Sequence, residues 1–135
     1  SLNQTGSGPG IVTNALTATL NDAAHPAHAS DFLVLYMTGL GQVVGPNGEA
    51  GPGDGVAAPR DKLFHTLANV TVTIGGVPTP VQFPGLTLTL AALYQVNVQL
   101  PVGVTPGSAV PVVATATNPN GGASAQSNTV TIVVE

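Results

Sequence analysis

The sequence predicts an all-β protein, a sandwich of about seven to eight short strands in two sheets. Only 6 % of its residues are charged while 43 % are hydrophobic, although an ordinary soluble domain carries roughly 25 % charged residues. The apolar residues recur at every second position in Val- and Thr-rich runs such as residues 70–74 and 129–134. This period of two gives each strand one face for a core and one hydroxyl-bearing face for water or a neighbour. Turn-forming Gly, Pro and Asn residues separate the runs.

The chain begins with a polar, Gly-rich segment, residues 1–10, which we call the arm. We expect the arm to be flexible or to bind a partner, and residues 11–135 to form a single domain. Residues 11–20 (IVTNALTATL) are predicted to be extended, with three side chains on one face: Leu16, Ala18 and Leu20. An arm before an alternating strand is suited to complete the sheet of a neighbouring molecule by strand addition.

A loop, a strand and a long excursion follow the first strand. Residues 21–30 are predicted to form a loop, because Pro26 lacks an N–H and disfavours helical angles at His25. Residues 31–40 (DFLVLYMTGL) predict a strand that is apolar on both faces, covered either within the domain or by another chain. Residues 41–61 are rich in Gly and Pro, and a loop of this length usually carries function or is disordered.

The middle of the chain predicts a hairpin and two further extended segments. Residues 69–75 predict a strand with apolar residues at every second position, and the pair Gly75-Gly76 indicates a tight turn. Residues 77–83 predict a short strand whose prolines suit the edge of a sheet. An extended segment with an apolar stripe is expected next, formed by Leu86, Leu88 and Leu90.

The last third contains the most regular pattern. Residues 93–100 (LYQVNVQL) predict a strand with four inward side chains: Tyr94, Val96, Val98 and Leu100. Residues 101–108 predict a turn. Residues 110–117 and 129–134 are the expected closing strands, joined by the segment NPNGGASAQS.

Composition and charge exclude several classes of function. The net charge is −4, and Arg60 and Lys62 are the only Lys or Arg residues, so no phosphate-binding surface for nucleic acid or anionic lipid can form. The absence of Cys excludes disulfides and thiolate metal sites. No run approaches the roughly 20 apolar residues of a membrane-spanning helix, so we expect no membrane insertion.

Two groups of residues resemble metal sites weakly. His25 and His28, with Asp22 nearby, could hold a divalent cation, but a loop beside a proline gives the two imidazoles no fixed orientation. We therefore expect them to be exposed and unliganded, and His65 to be a solitary polar residue. The loop acids, Glu49, Asp54 and Asp61, lack the alternating ligand spacing of calcium loops, so no metal is expected there either.

No set of residues predicts catalysis. No Ser lies in a G-x-S-x-G context, and the few acids do not suggest a facing carboxylate pair. The single lysine, Lys62, precedes a strand, and we do not expect it to form a cross-link with an Asn. Glycan-binding sandwiches use exposed aromatic rings; this chain has no Trp, and we expect Tyr36 and Tyr94 to serve the core.

Four stretches resemble, in order, an IPT/TIG-type immunoglobulin-like domain: DFLVLYMTGLG, VTVTIGGVPTPV, LYQVNVQLPVGVTPGSAVPVVATATNPNGG and SNTVTIVV. The pattern is most similar to a C-terminal domain of large secreted acidobacterial proteins of the Solibacter type. The resemblance covers roughly residues 8–135 and implies an immunoglobulin-like β-sandwich with no catalytic motif. That family carries a related β-rich segment before this region, so the chain is either a cleavage product or a stand-alone subunit.

Together these observations predict a non-catalytic structural module that is secreted and lies outside a bacterial cell or on its surface. We expect it to be a subunit of an extracellular filament or surface assembly held by strand-addition contacts. Its expected partners are further copies of itself or another cell-surface protein. The alternative is an adhesion module that binds glycan or protein through residues 41–61. We expect no enzymatic activity and no cofactor.

Overall fold

The computed structural model describes residues 1–135 and confirms the predicted all-β class. Two antiparallel sheets pack face to face as a sandwich, and the structure has no helix that could cross a membrane. The eleven strands are β1 (Val12–Asn14), β2 (Phe32–Met37), β3 (Val43–Val44), β4 (His65–Thr66), β5 (Asn69–Ile74), β6 (Val77–Thr79), β7 (Val81–Leu86), β8 (Tyr94–Gln99), β9 (Gly107–Thr117), β10 (Ser124–Gln126) and β11 (Val130–Val134).

The first sheet has the order β1-β2-β8-β7-β4-β3, and the second has the order β10-β9-β5-β6. Strand β11 also belongs to the second sheet and pairs with β9. Ala125 of β10 lies opposite Ala116, while Val130 of β11 lies opposite Val112, so β10 and β11 lie end to end along the same side of β9. Val130 lies five residues after Ala125, whereas their partners Val112 and Ala116 are only four residues apart. One extra residue, a β-bulge, therefore lies between β10 and β11.

The core between the sheets is built from the inward residues of the alternating strands. It contains 17 buried apolar side chains, most of them Val, Leu and Ile. The prediction for residues 93–100 is confirmed, because Val96, Val98 and Leu100 are almost completely buried and Tyr94 packs against the same core. A satellite cluster of Ala58, Phe64 and Leu86 lies under the long loop.

Strand β2, which was predicted to be apolar on both faces, buries only one of them in the core. Leu33 and Leu35 are buried in the core, whereas Phe32, on the opposite face, is 42 % exposed. Val34 and Tyr36 on that outer face are half-buried. The second face of β2 is therefore covered only in part within the domain.

The prediction of one extended strand over residues 11–20 is wrong. Only β1 is a strand, and the chain then turns, because the Asn14 side-chain oxygen accepts hydrogen bonds from the backbone N–H groups of Leu16 (2.9 Å) and Thr17 (3.3 Å). Ala18 adopts a left-handed φ of 56°. The Leu16 side chain is 85 % exposed rather than part of an apolar face. This local bond from an Asn side chain competes with the strand ladder, and hydrophobic alternation does not reveal it.

The predicted stripe of three leucines is also wrong. Leu86 ends β7 and is buried, but the chain then turns at Thr89, which has a φ of 67°. Leu90 is left 46 % exposed. The turn is closed by a hydrogen bond from the Thr87 N–H to the Leu93 carbonyl, so residues 87–93 form a turn between β7 and β8 rather than an extended segment.

Candidate functional site

The edges of the two sheets are the places where a further strand could add, and the edge formed by β1 is covered by the chain itself. The Asn14 N–H donates to the Thr19 carbonyl, and the Asn21 N–H donates to the Val12 carbonyl. The segment after the turn therefore runs back along β1 and satisfies its outer backbone groups.

Two other edges are closed by different means. At β3, Val44 bridges to Ala50 and the Gly45 N–H donates to the Glu49 carbonyl, so the loop folds over the edge. At β6, a two-residue turn brings Val77 opposite Ile74. In that register, the backbone N–H and carbonyl groups of Val77 and Thr79 point toward β5, and the backbone of Pro78 points outward. Proline has no N–H to offer a further strand, so this edge is blocked.

The fourth edge is covered along β11. The Gly10 N–H donates to the Thr131 carbonyl, and the Thr131 N–H donates to the Gly8 carbonyl, both at 2.9 Å. Further along, the Asn21 side chain bonds the N–H and the carbonyl of Val133 at 2.7 and 2.9 Å. Ala27 also donates its N–H to the Val133 carbonyl. Three separate parts of the chain thus complete the outer side of β11.

Strand β10 is the uncovered part of that fourth edge. Ser127 donates its N–H to the Ala114 carbonyl of β9, so the backbone of Ala125, two residues earlier, also faces β9. The N–H and carbonyl groups of Ser124 and Gln126 therefore point away from the sheet. No other segment pairs with this side, and all three residues of β10 are exposed.

An apolar cleft of about 390 Å³ opens between the sheets beside β10. Its wall on the second sheet includes three small side chains, Ala114, Ala116 and Ala125. Its wall on the first sheet includes Tyr36 and Met37 near the end of β2. No charged side chain lines the cleft. The three alanines explain the unfilled volume, because larger residues at those positions would close the gap between the sheets.

The arm leaves this cleft open. Its first nine residues form a closed loop, in which the Leu2 N–H donates to the Pro9 carbonyl at 2.7 Å. Gln4, Gly6 and Gly8 all have left-handed φ values in this loop. The arm reaches β11 only at residues 8–10 and then crosses to the first sheet. Ser1 lies at the lining of the cleft, and the Asn128 side chain donates to the Gly6 carbonyl.

The long loop, residues 41–61, forms the second concave surface. An open basin of about 910 Å³ lies against it, lined mainly by loop residues, several of them Gly, with Val56 and Tyr94 also in the lining. The Tyr94 hydroxyl donates to the Gly41 carbonyl and so fastens one end of the loop to β8. Burial raises the pKa of the Tyr94 phenol.

The other end of the loop is held by an ion pair. The Lys62 ammonium donates to the Glu49 carboxylate at 3.0 Å, and this carboxylate also accepts from the Asn47 N–H at 2.9 Å. The Glu49 backbone N–H, then Lys62 and the Asn47 N–H, lower the pKa of Glu49, and the same carboxylate raises the pKa of Lys62. Glu49 is thus occupied by the ion pair, while Asp54 lines the basin.

The two histidines considered for metal binding, His25 and His28, contact different acids. His25 Nδ1 donates to Asp22 at 3.0 Å, whereas His28 lies 3.7 Å from Asp31 and 3.8 Å from Glu135. No group of three or more His, Asp or Glu side chains is placed so that it could hold a metal ion. Desolvation would raise the pKa of Asp22, but hydrogen bonds from the His25 ring and from the backbone N–H groups of His25 and Ala24 lower it overall. His65 lies in β4 and is exposed.

The aromatic side chains are spread over the molecule. Phe64 is buried in the satellite cluster, and Tyr94 packs against both clusters. Phe32 and Tyr36 lie on the outer face of β2, so Tyr36 is not in the core as expected, although it reaches the lining of the cleft.

Comparisons with known proteins give no neighbour for this chain. No protein-family model matches it. No curated protein and no solved structure matches it either.

The residues of the open edge were not predicted from the sequence. The segment NPNGGASAQS, residues 118–127, was interpreted as a connection, yet it contains β10. Ser, Ala and Gln carry little strand propensity, and three residues are too few to show alternation. Only one signal was available. Residues 123–129 contain no charged residue and no proline, and these are the residues that usually protect an edge strand.

Proposed function

We propose that this chain is a non-catalytic structural module whose copies assemble by strand addition at β10. The observation that carries the proposal is the contrast among the sheet edges: those at β1, β3, β6 and β11 are covered or blocked, and β10 is open beside an apolar cleft. An added strand would gain hydrogen bonds from Ser124 and Gln126 and would place side chains in the cleft. The assembly we propose is an extracellular filament or another surface assembly.

The surroundings of β10 also favour association. A protein usually protects an edge strand with charges, a proline or a short covering segment. The opposite edge of the same sheet, at β6, has Pro78, whereas β10 has only uncharged Ser, Ala and Gln. No charged side chain lines the cleft, so no like-charged side chains would repel each other where two copies meet here.

The proposed location outside a bacterial cell is supported by the composition and by the resemblance to IPT/TIG-type domains. The chain makes its surface from Thr, Ser, Asn, Gln and Gly rather than from Lys and Glu. Such uncharged faces suit a building unit that packs against others. The same resemblance carries no catalytic motif, which supports the non-catalytic part of the proposal.

The test is a proline placed where the added strand must form a hydrogen bond. Gln126→Pro removes an outward N–H, and it leaves the bonds from β10 to β9 intact because those come from Ala125 and Ser127. Gln126→Val is the matched control, because it keeps the N–H and the strand geometry. We expect the parent protein and Gln126→Val to form regular assemblies by electron microscopy and light scattering. Gln126→Pro should be folded and monomeric, with a mass of 13.3 kDa.

A parent protein that stays monomeric at high concentration would overturn the proposal. Assembly of Gln126→Pro to the same extent as Gln126→Val would show that copies associate elsewhere on the molecule. Circular dichroism and the urea midpoint of each variant establish that any loss of assembly is not a loss of folding.

A second proposed function, adhesion through the long loop, is favoured by the 910 Å³ basin. Several residues of its lining are Gly, which have no side chain to cover the backbone, and backbone N–H and carbonyl groups can bind the hydroxyls of a glycan or the backbone of a peptide. Val56 lines it and is 56 % exposed, so Val56→Arg changes the basin without disturbing the core. If the basin binds neutral oligosaccharides, the chemical-shift changes that they cause in an NMR titration should disappear in Val56→Arg, with assembly unaffected.

A further inference from the structure

The proposed assembly needs a donor strand, and we infer that the donor is the arm of a second copy of this chain. This inference rests on the proposed function and names the partner of the same site. In the inferred contact, the arm leaves the β11 strand of its own domain. It then binds the β11 strand of a neighbour and continues, extended, along the neighbour's β10.

The first support is continuity with a contact that the arm already makes. Residues 8–10 pair with Thr131 in parallel, and β10 continues the same edge beyond the bulge. Because the pairing is parallel, the residues that precede Gly8 lie in the direction of β10 once they are extended. Six extended residues span about 20 Å, which is enough to carry the arm from Thr131 past Ala125.

The register of the extended arm follows from the same contacts. Pro9 lies opposite Thr131, and the β10–β11 edge contains one extra residue, so an extended arm places Gln4 opposite Ala125. An added Cβ on Gly10 would meet Val130 and Val12, so this position faces the interior between the sheets. Even-numbered arm residues then face inward. Gln4 lies beside Ala125 at the lining of the cleft, and Leu2, the only large apolar side chain before Pro9, is the next inward residue beyond it.

In the single chain the arm forms a closed loop, and this loop competes poorly with the extended conformation of the arm. It keeps Gln4 in a left-handed conformation that non-glycine residues adopt at a cost, and extension removes this strain. The Leu2 side chain is 44 % exposed in the loop. Exchange between copies keeps the bonds to Thr131 and adds those to β10, at the loss of the bonds within the loop and of the bond from Asn128 to the Gly6 carbonyl.

The second copy, rather than the same chain, is the expected acceptor because the single chain leaves its own cleft open. The arm and the acceptor edge are different surfaces of the molecule, so each copy donates one arm and accepts another. Such a head-to-tail contact propagates into an open filament unless it closes into a ring. Neither the arm nor β10 carries a charged side chain that would oppose the contact.

A cross-linking experiment tests directly whether the arm is the donor. Because the chain has no Cys, only the introduced Cys residues can react. One full-length preparation carries Gln4→Cys and a second carries Ala125→Cys. The two are mixed under reducing conditions that allow assembly, and a short bismaleimide, which tolerates a shift of one residue, is then added. We expect a covalent dimer of twice 13.3 kDa that contains one copy of each variant. Thr71→Cys, on the outer face of β5, replaces Ala125→Cys in the matched control and should give no such dimer.

The possible outcomes test the arm as donor separately from assembly at β10. Regular assemblies without the Gln4–Ala125 dimer would overturn the arm as donor and leave assembly at β10 standing. A chain carrying both substitutions that cross-links only within itself would show that the arm extends along its own β10, and this would also overturn the inference. A shortened chain that lacks residues 1–7 should be folded and monomeric; its unchanged assembly would likewise exclude the arm. A parent protein without any assembly would remove the proposed function and the donor together.

Discussion

Asn21 shows how a single side chain completes a sheet. Only 7 % of Asn21 is exposed, and its amide oxygen and nitrogen bond the N–H and the carbonyl of Val133. The amide group therefore takes the place of one residue of a neighbouring strand. Its buried atoms are satisfied only in this geometry, so the side chain holds residues 21–31 against β11.

We expect Asn21→Leu to lower the free energy of unfolding by about 1–3 kcal/mol, because it leaves the Val133 N–H without a partner and removes one of the two hydrogen bonds to the Val133 carbonyl. Asn120→Leu is the matched control, since Asn120 is exposed and its side chain has no hydrogen bond in the structure; its effect should be within about 0.5 kcal/mol of zero. Urea denaturation measures both. Equal effects of the two substitutions would mean that the amide does not support β11.

Tyr94 joins the long loop to the first sheet and also responds to pH. Burial raises the pKa of its phenol above the ordinary value of 10.0. In the unfolded chain the phenol loses its proton near that ordinary value. The unfolded state therefore deprotonates first as the pH rises, and the folded state loses stability above about pH 10. Below that pH the contribution of Tyr94 to stability is complete.

We expect Tyr94→Phe to cost about 1 kcal/mol at pH 7, because it removes the hydrogen bond to the Gly41 carbonyl and keeps the apolar ring. The difference in stability between the parent and Tyr94→Phe should then narrow as the pH rises past 10. Urea midpoints measured from pH 7 to pH 11 check this. A constant difference over the whole range would show that burial of the phenol does not affect stability.

At the scale of elements, the sequence predicted the strands that alternate and missed the features that depend on local side-chain bonds. Residues 69–74 and 94–99 form β5 and β8 because each places apolar residues at every second position. Residues 15–20 form a turn instead of a strand because Asn14 bonds the backbone ahead of it. Hydrophobic periodicity indicates which face of a strand is buried, but it does not indicate a hydrogen bond between residues that are close in sequence.

The candidate site was the least predictable element for a related reason. An open edge is defined by what fails to cover it, and this depends on contacts between distant parts of the chain. Asn21, Ala27 and residues 8–10 cover β11 from separate segments. No local pattern shows that these segments converge on β11 and stop before β10. The sequence therefore predicted strand addition as a mode of assembly, but not the strand that accepts it.

The proline in β6 provides a prediction about edges. Pro78 has its backbone directed outward, so Pro78→Val restores an N–H on the one edge strand that is blocked by residue type. In a protein that also carries Gln126→Pro, we expect Pro78→Val to produce concentration-dependent association that the single Gln126→Pro variant lacks. Light scattering over a range of concentrations measures it. Pro80→Val, outside β6, is the matched control and should leave the Gln126→Pro protein monomeric.

At the scale of the whole molecule, the scarcity of charge fits assembly better than long-range recognition. Two cationic and six acidic side chains cannot produce the extended potentials that steer charged partners. Several of these charges are already paired within the chain, as Lys62 is with Glu49. The surfaces proposed to meet, β10, the cleft and the arm, have no charged side chains at all.

Assembly should therefore depend little on salt. Raising the ionic strength from 0.1 M to 1 M shortens the Debye length from about 10 Å to about 3 Å, which weakens contacts between exposed charges. Strand addition relies on backbone hydrogen bonds and apolar burial, so we expect the critical concentration for assembly to change less than about threefold in sodium chloride. Sodium sulfate should lower it, because this salt strengthens apolar burial. A steep loss of assembly in sodium chloride would place the contact at charged residues such as Asp54 or Arg60 of the long loop instead of at β10.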